Sequence, residues 1–194
     1  MQAVLDEVGE RLMHSDESLI RIPDICEATG VNYGSVYHHF GSREGVIDAA
    51  YNQMFLRYAE QDIALLKHLS ESAKTLEEFS AGFTALMSTF SSRPDRSQRR
   101  SIRIRIVAAS LTRPALKALI GQTQSRVTEE LMVIVQYGQD RGWLRSDVSA
   151  QSVAVALQAL LVGRVIDDIS ALPVDPAEWG QTMAVFYSSL LVEQ

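Results

Sequence analysis

Residues 30–45 read GVNYGSVYHHFGSREG and bring Asn32, Tyr33, Ser35, Tyr37, His38, His39 and Arg43 close together in the chain. Amide, hydroxyl, phenol, imidazole and guanidinium groups all hydrogen-bond to phosphate oxygens or to base edges. A second polar group follows between residues 93 and 113, where seven arginines stand against one acid, Asp95. Elsewhere the reactive residue types are scattered. His14, His68 and the single cysteine, Cys26, show no zinc-ligand spacing. No nucleophile–base arrangement and no glycine-rich phosphate loop is evident, so neither catalysis, a metal nor a cofactor is expected. Cys26 reads as a small helix-packing residue, since no basic residue lies near it in sequence.

Those groups need elements to hold them. Val4, Leu5, Val8 and Leu12 give a first helix over about 2–13. Pro23 suits the first turn of a second, two-turn helix, PDICEAT, which Gly30 ends. Asn32 is a natural cap for a third, YGSVYHHF, broken by Gly41. Val31 and Val36 turn inward, leaving Tyr33, Gly34, Ser35, Tyr37 and His38 outward. Two short helices joined by a tight glycine turn make a helix-turn-helix, and its second helix is short enough to enter a major groove by its N-terminal end.

Ser42 caps a long fourth helix in which Asp62 interrupts an apolar spacing near seven. Phe79, Phe83, Met87 and Phe90 form the stripe of a fifth, readable as plain core or as the wall of a ligand cavity. Pro94 separates it from the arginine segment. IRIRIV at 102–107 alternates like a strand, but Arg96, Arg99, Arg100 and Arg103 fall on one helical stripe and Ile102, Ile106 and Ala109 on another, so the segment reads as helix. Three partners for the arginine stripe stay open: solvent, an acidic effector, or the acids of the first domain, Asp6, Glu7, Glu10 or Glu44. A helix of about 27 residues opens at Pro114, another runs from Asp147 or Ser149 to about Leu172, and DPAEW opens the last, with Trp179, Met183, Phe186 and Leu190 as its stripe. The fold class is all-α.

The stretch IPDICEATGVNYGSVYHHFGSREGVIDAAY resembles the TetR family of one-component transcriptional regulators. Asp24, Ile25, Ala28 (one position early), Gly30, Val31, Gly34, Tyr37, His39, Phe40, Ser42 and Glu44 fit the family's pattern, with Ser35, Val36 and Arg43 as conservative replacements. GWLRSDVSAQSVAVALQALLVGRV looks like the family's approach to its dimerising helices. The resemblance implies a DNA-binding domain at 1–45 and an effector-binding and dimerisation domain at 46–194. It implies a homodimeric repressor on a pseudo-palindromic operator in double-stranded DNA, released by a small-molecule effector, in the cytoplasm. Arg21, Asn32, Tyr33, Gly34, Ser35, Tyr37, His38, His39 and Arg43 become the DNA-contact set, with Tyr37, His39 and Arg43 on phosphate and Tyr33 nearest the bases. Arg21 replaces a Thr or Ser that usually meets phosphate. Phe79, Phe83, Met87, Phe90 and Arg103 become effector contacts, and Leu157, Leu160, Gly163, Met183, Phe186 and Leu190 the dimer interface.

Charge complicates this picture. The net charge is −6, and residues 1–50 carry nine acids against three arginines, whereas DNA binding draws on cations. The alternative is a helical small-molecule sensor or scaffold whose head no longer binds DNA. An acidic amphipathic N-terminus is no secretory signal, and no uninterrupted apolar stretch reaches ~18 residues, so no membrane span is expected.

Overall fold

The computed structural model describes residues 1–92 and 95–192. Among these are ten α-helices and a 3₁₀ turn at Glu17–Leu19, with no β-strand. The helices are α1 (Gln2–His14), α2 (Ile22–Thr29), α3 (Tyr33–Phe40), α4 (Arg43–Ser72), α5 (Leu76–Ser92), α6 (Asp95–Thr112), α7 (Pro114–Asp140), α8 (Ala150–Gly163), α9 (Val165–Asp168) and α10 (Pro176–Ser188). IRIRIV is helical, as the shared period of its arginines and isoleucines demands. Pro94, expected to part α5 from α6, lies outside the described residues, as does Arg93.

The chain forms two compact units, Met1–Tyr58 with Arg105–Thr123, and Ala59–Ile104 with Gln124–Gln194. In unit one the inward residues are those the helical spacing selects: Val4, Val8, Leu12, Ile25, Val36 and Ile47 are each at most 1% exposed. Ile106 of α6 and Leu116 of α7 are buried in the same unit.

Unit two holds a core of Ile63, Leu66, Phe90, Val127, Leu131 and Met183, among others. Beside it Phe79 stacks on Trp143 with ring centroids 5.3 Å apart. Asp62, the apparent flaw in α4, accepts from Arg96 at 2.5 Å, and both side chains are largely buried. The arginine stripe therefore faces neither solvent alone nor the acids of the first domain. Arg99 meets Asp95 at 3.1 Å and Gln61 at 2.9 Å, and Arg100 forks onto Asp168 at 2.5 and 2.6 Å. All of these partners belong to unit two.

Two helix expectations need correction. α8 stops at Gly163 rather than near Leu172. Glycine weakens the helix there, and α9 then brings Asp168 to Arg100. In α10 the buried pair is Met183 and Tyr187, one turn apart, while Phe186 is 56% exposed. Met183 lies in the core of unit two, and Leu157, Leu160 and Leu190 pack against that core.

Ala150–Asp168 is long and apolar enough to cross a membrane by length and composition alone, although Gln158, Arg164, Asp167 and Asp168 interrupt its apolar residues. Within unit two this run buries Val153, Ala154 and Gln158 and places Asp168 on Arg100.

Candidate functional site

Unit one gathers the whole expected DNA-contact set. Gly30 turns the chain between α2 and α3 with φ +68, a conformation that disfavours a side chain. The Asn32 carboxamide oxygen then accepts from the Gly34 N–H at 2.8 Å, capping α3. Val36, fully buried, seats the helix. With that face fixed, Tyr33, Gly34, Ser35, His38 and His39 are exposed and Tyr37 is half-exposed. The Tyr33 and Tyr37 rings touch, with centroids 4.6 Å apart and planes tilted by 37°. The hydrogen bond to Tyr33, then burial, raises the Tyr37 phenol above its ordinary value, so it stays a neutral donor. His39 stands edge-on to Phe40. Arg21 is exposed at the start of α2 and makes no cap with its side chain.

Arg43 does something the sequence did not announce. Its Nε donates to the Ile20 carbonyl at 2.8 Å and its Nη2 to the Glu17 carbonyl, while Nη1 meets Glu44 at 3.4 Å. The guanidinium thus ties the start of α4 to the turn before α2. Two further arginines grip the same turn. Arg105 Nη1 donates to the carbonyls of Leu12 and Ser15 at 2.8 and 3.2 Å. Arg113 pairs with Glu17 at 3.2 Å and Asp48 at 3.4 Å. The acid-to-arginine complement within this unit is real, but its members differ from those expected. Asp6 accepts from Gln53, Glu7 holds Arg11, Glu10 sits by His14, and Glu44 by Arg43. The excess of arginine after residue 93 was the available signal; which arginine meets which acid depends on tertiary placement.

Burial raises the Asp48 carboxyl above its ordinary value, Arg113 opposes that, and Glu17 and Glu44 add to it. Burial also pushes Tyr51, over which Arg113 lies at 5.6 Å, up to about 12.

In unit two the α5 stripe does line cavities. Phe79 and Phe83 wall one of about 40 Å³. Met87 and Phe90 wall another of about 20 Å³, with Arg100, Arg164 and Trp179. Tyr187 borders both. Arg103 borders neither. Its Nη2 reaches the amide oxygens of Gln124 and Gln158 at 3.5 Å, and burial lowers its pKa.

The second helix of this helix-turn-helix is exposed and capped by the Asn32 side chain, an arrangement that suits contact with nucleic acid. The family model of the bacterial regulatory proteins of the tetR family matches residues 20–50. The chain is 29% identical over 137 residues to the HTH-type transcriptional repressor AcnR of Corynebacterium efficiens, a match spanning 71% of this chain and 64% of that protein. Among solved structures, a transcriptional regulator from Saccharomonospora viridis in complex with choline superposes with TM-score 0.71 at 18% identity, covering 100% of this chain and 97% of that one. A TetR-family regulator from Mesorhizobium loti does so with TM-score 0.73 at 12% identity, over 97% and 93%. At these identities the two structures show the shared fold.

Proposed function

We propose that this chain is a homodimeric DNA-binding repressor, released from a pseudo-palindromic operator by a small-molecule effector. The observation that carries the reading is α3. Its N-terminus is capped by Asn32, its inner face is pinned by Val36, and Tyr33, Tyr37, His38 and His39 sit on its outer side. A helix held that firmly, with donors at its N-terminal end, suits direct contact with a major groove. Arg21 and the Nη1 group of Arg43 are further phosphate contacts. Similarity to the AcnR repressor supports repression rather than activation. Ile166, Ile169, Val185 and Phe186 in unit two are 77%, 81%, 72% and 56% exposed. So large an exposed apolar set on neighbouring segments suits a two-fold interface. The protein acts in the cytoplasm, where DNA is accessible, without a membrane.

The second reading, a helical sensor or scaffold without DNA binding, draws on the nine acids of residues 1–50. Arg105 and Arg113 offset part of that charge within unit one. A gel shift on the promoter flanking its own gene separates the two. Retardation that weakens with salt supports the repressor, and none at low salt supports the sensor.

A further inference from the structure

Unit one carries nine acids against seven cations, and most of its arginines are committed to the unit itself. Arg11 pairs with Glu7 at 2.7 Å and reaches the Asp24 carbonyl at 3.4 Å. Arg43 holds the Ile20 and Glu17 carbonyls, and Arg105 those of Leu12 and Ser15. Arg113 meets the carboxylates of Glu17 and Asp48. Arg57 and Lys117 are exposed, but they stand on α4 and α7, outside the helix-turn-helix. That leaves Arg21 as the exposed arginine of the helix-turn-helix. Affinity for duplex DNA comes largely from counterions released as protein cations neutralise phosphates. One arginine per protomer is a thin basis for it.

The exposed side of α3 holds another source of positive charge. His38 and His39 are adjacent, both exposed, and both in the last turn of the helix, where the carbonyl ends of the backbone favour a cation. Histidine is the side chain whose charge ordinarily changes between about pH 5 and 8. An imidazolium donates a charge-assisted hydrogen bond to a phosphate oxygen, and a phosphate within reach favours the protonated form. The charged groups of the neighbouring elements are few. α2, which packs against α3, carries Asp24 and Glu27, and the first turns of α4 carry Arg43, Glu44 and Asp48. Arg43 is the one cation among these, so the surroundings do not replace what the surface lacks.

We infer that DNA binding by this chain is coupled to proton uptake, with His38 and His39 becoming imidazolium as phosphates approach and supplying the positive charge that the committed arginines do not. The inference rests on the DNA-binding reading above and adds its regulation: occupancy of DNA rises as pH falls. Each proton fully taken up on binding is worth a tenfold change in affinity per pH unit, and a dimer brings two such imidazoles from each protomer.

The test measures binding of the full chain to DNA flanking its own gene by anisotropy at pH 8, 7 and 6, each over a salt series. The wild type should tighten at least about tenfold from pH 8 to pH 6, and its salt dependence should steepen as the imidazolium groups join the contact. Calorimetry at pH 7 in phosphate and in Tris, buffers with different ionisation enthalpies, should show net proton uptake. His38→Gln, His39→Gln should lose the pH response. His38→Arg, His39→Arg should bind at pH 8 about as tightly as the wild type does at pH 6, and also without a pH response. Asp48 is the control, because burial raises its carboxyl; Asp48→Asn should keep the wild-type pH dependence. Wild-type affinity that is the same at pH 8 and pH 6, no proton uptake, a full pH response in the glutamine variant, or its loss in Asp48→Asn overturns the coupling and leaves the DNA-binding reading standing. No binding at any pH by either the wild type or the arginine variant removes that reading and the coupling with it.

Discussion

Tyr33 and Tyr37 share one aromatic contact but carry different tasks in this account. Tyr37 supplies a phenol to phosphate, which is the same in every sequence, whereas Tyr33 sits nearer the bases. Tyr37→Ala should therefore weaken binding to all duplexes alike. Tyr33→Ala should cost about 1–3 kcal/mol on the preferred sequence and less on others. Anisotropy titrations on an operator and on scrambled duplexes measure this, and uniform weakening by both variants removes Tyr33 as a base reader. Asp48 gives a second residue-scale expectation. Its carboxyl is raised in the folded state, chiefly by burial. Its contribution to stability is thus fully present below the ordinary carboxylate value of 3.8 and is lost as pH rises through the raised folded value. Urea midpoints of the wild type, relative to Asp48→Asn, should fall as pH rises from about 3.5 to neutrality. A relative midpoint that climbs over that range contradicts the assignment.

At the scale of elements, caps and breaks were legible because they are local. Gly30, Asn32, Gly41, Ser149 and Asp175 each act on backbone groups within a few residues, and each occupies the place its type suggested. Gly30→Ala should cost about 1–2 kcal/mol, because φ +68 forces a side chain into the left-handed region. It should also tilt α3 and reduce operator affinity. Asp175→Ala removes the acceptor for the Ala177 and Glu178 N–H groups and should cost about 1 kcal/mol with DNA binding intact. Chemical denaturation of both variants, with DNA titration alongside, checks the contrast; equal loss of DNA binding would show that the cap effect is not local. What the sequence hid was pairing over long separations. Arg113 with Glu17, Arg100 with Asp168 and Arg96 with Asp62 are contacts no periodicity encodes. The stripe of α10 misled for a related reason. Met183 and Phe186 both lie near one helical face, but Tyr187 rather than Phe186 turns inward, where its ring meets Phe83. Arg43 was legible as a polar residue of the DNA-contact set, but its grip on the Ile20 and Glu17 carbonyls was not.

For the molecule as a whole, charge and apolar surface are both unevenly distributed, and each asymmetry has a use. Arginines after residue 93 hold acids and carbonyls inside each unit. The exposed apolar residues of unit two, Ile166, Ile169, Val185 and Phe186, await a partner copy in this account. Val185→Glu with Phe186→Glu should give a folded monomer by sedimentation. Leu160→Glu would be a poorer test, since Leu160 packs against the core of the protomer. A double variant that stays dimeric moves the interface away from α10. A monomer should also bind DNA far more weakly, because only one recognition helix then engages one half-site. The central claim is that α3 reads DNA, and the most direct measurement is a salt-varied gel shift of DNA flanking the chain's own gene, run with the wild type and with His39→Ala, Tyr37→Ala. The account predicts a specific complex of one dimer per pseudo-palindrome that weakens as salt rises and is lost in the double variant. No retardation by the wild type at low salt, or the same complex from the double variant, would contradict it.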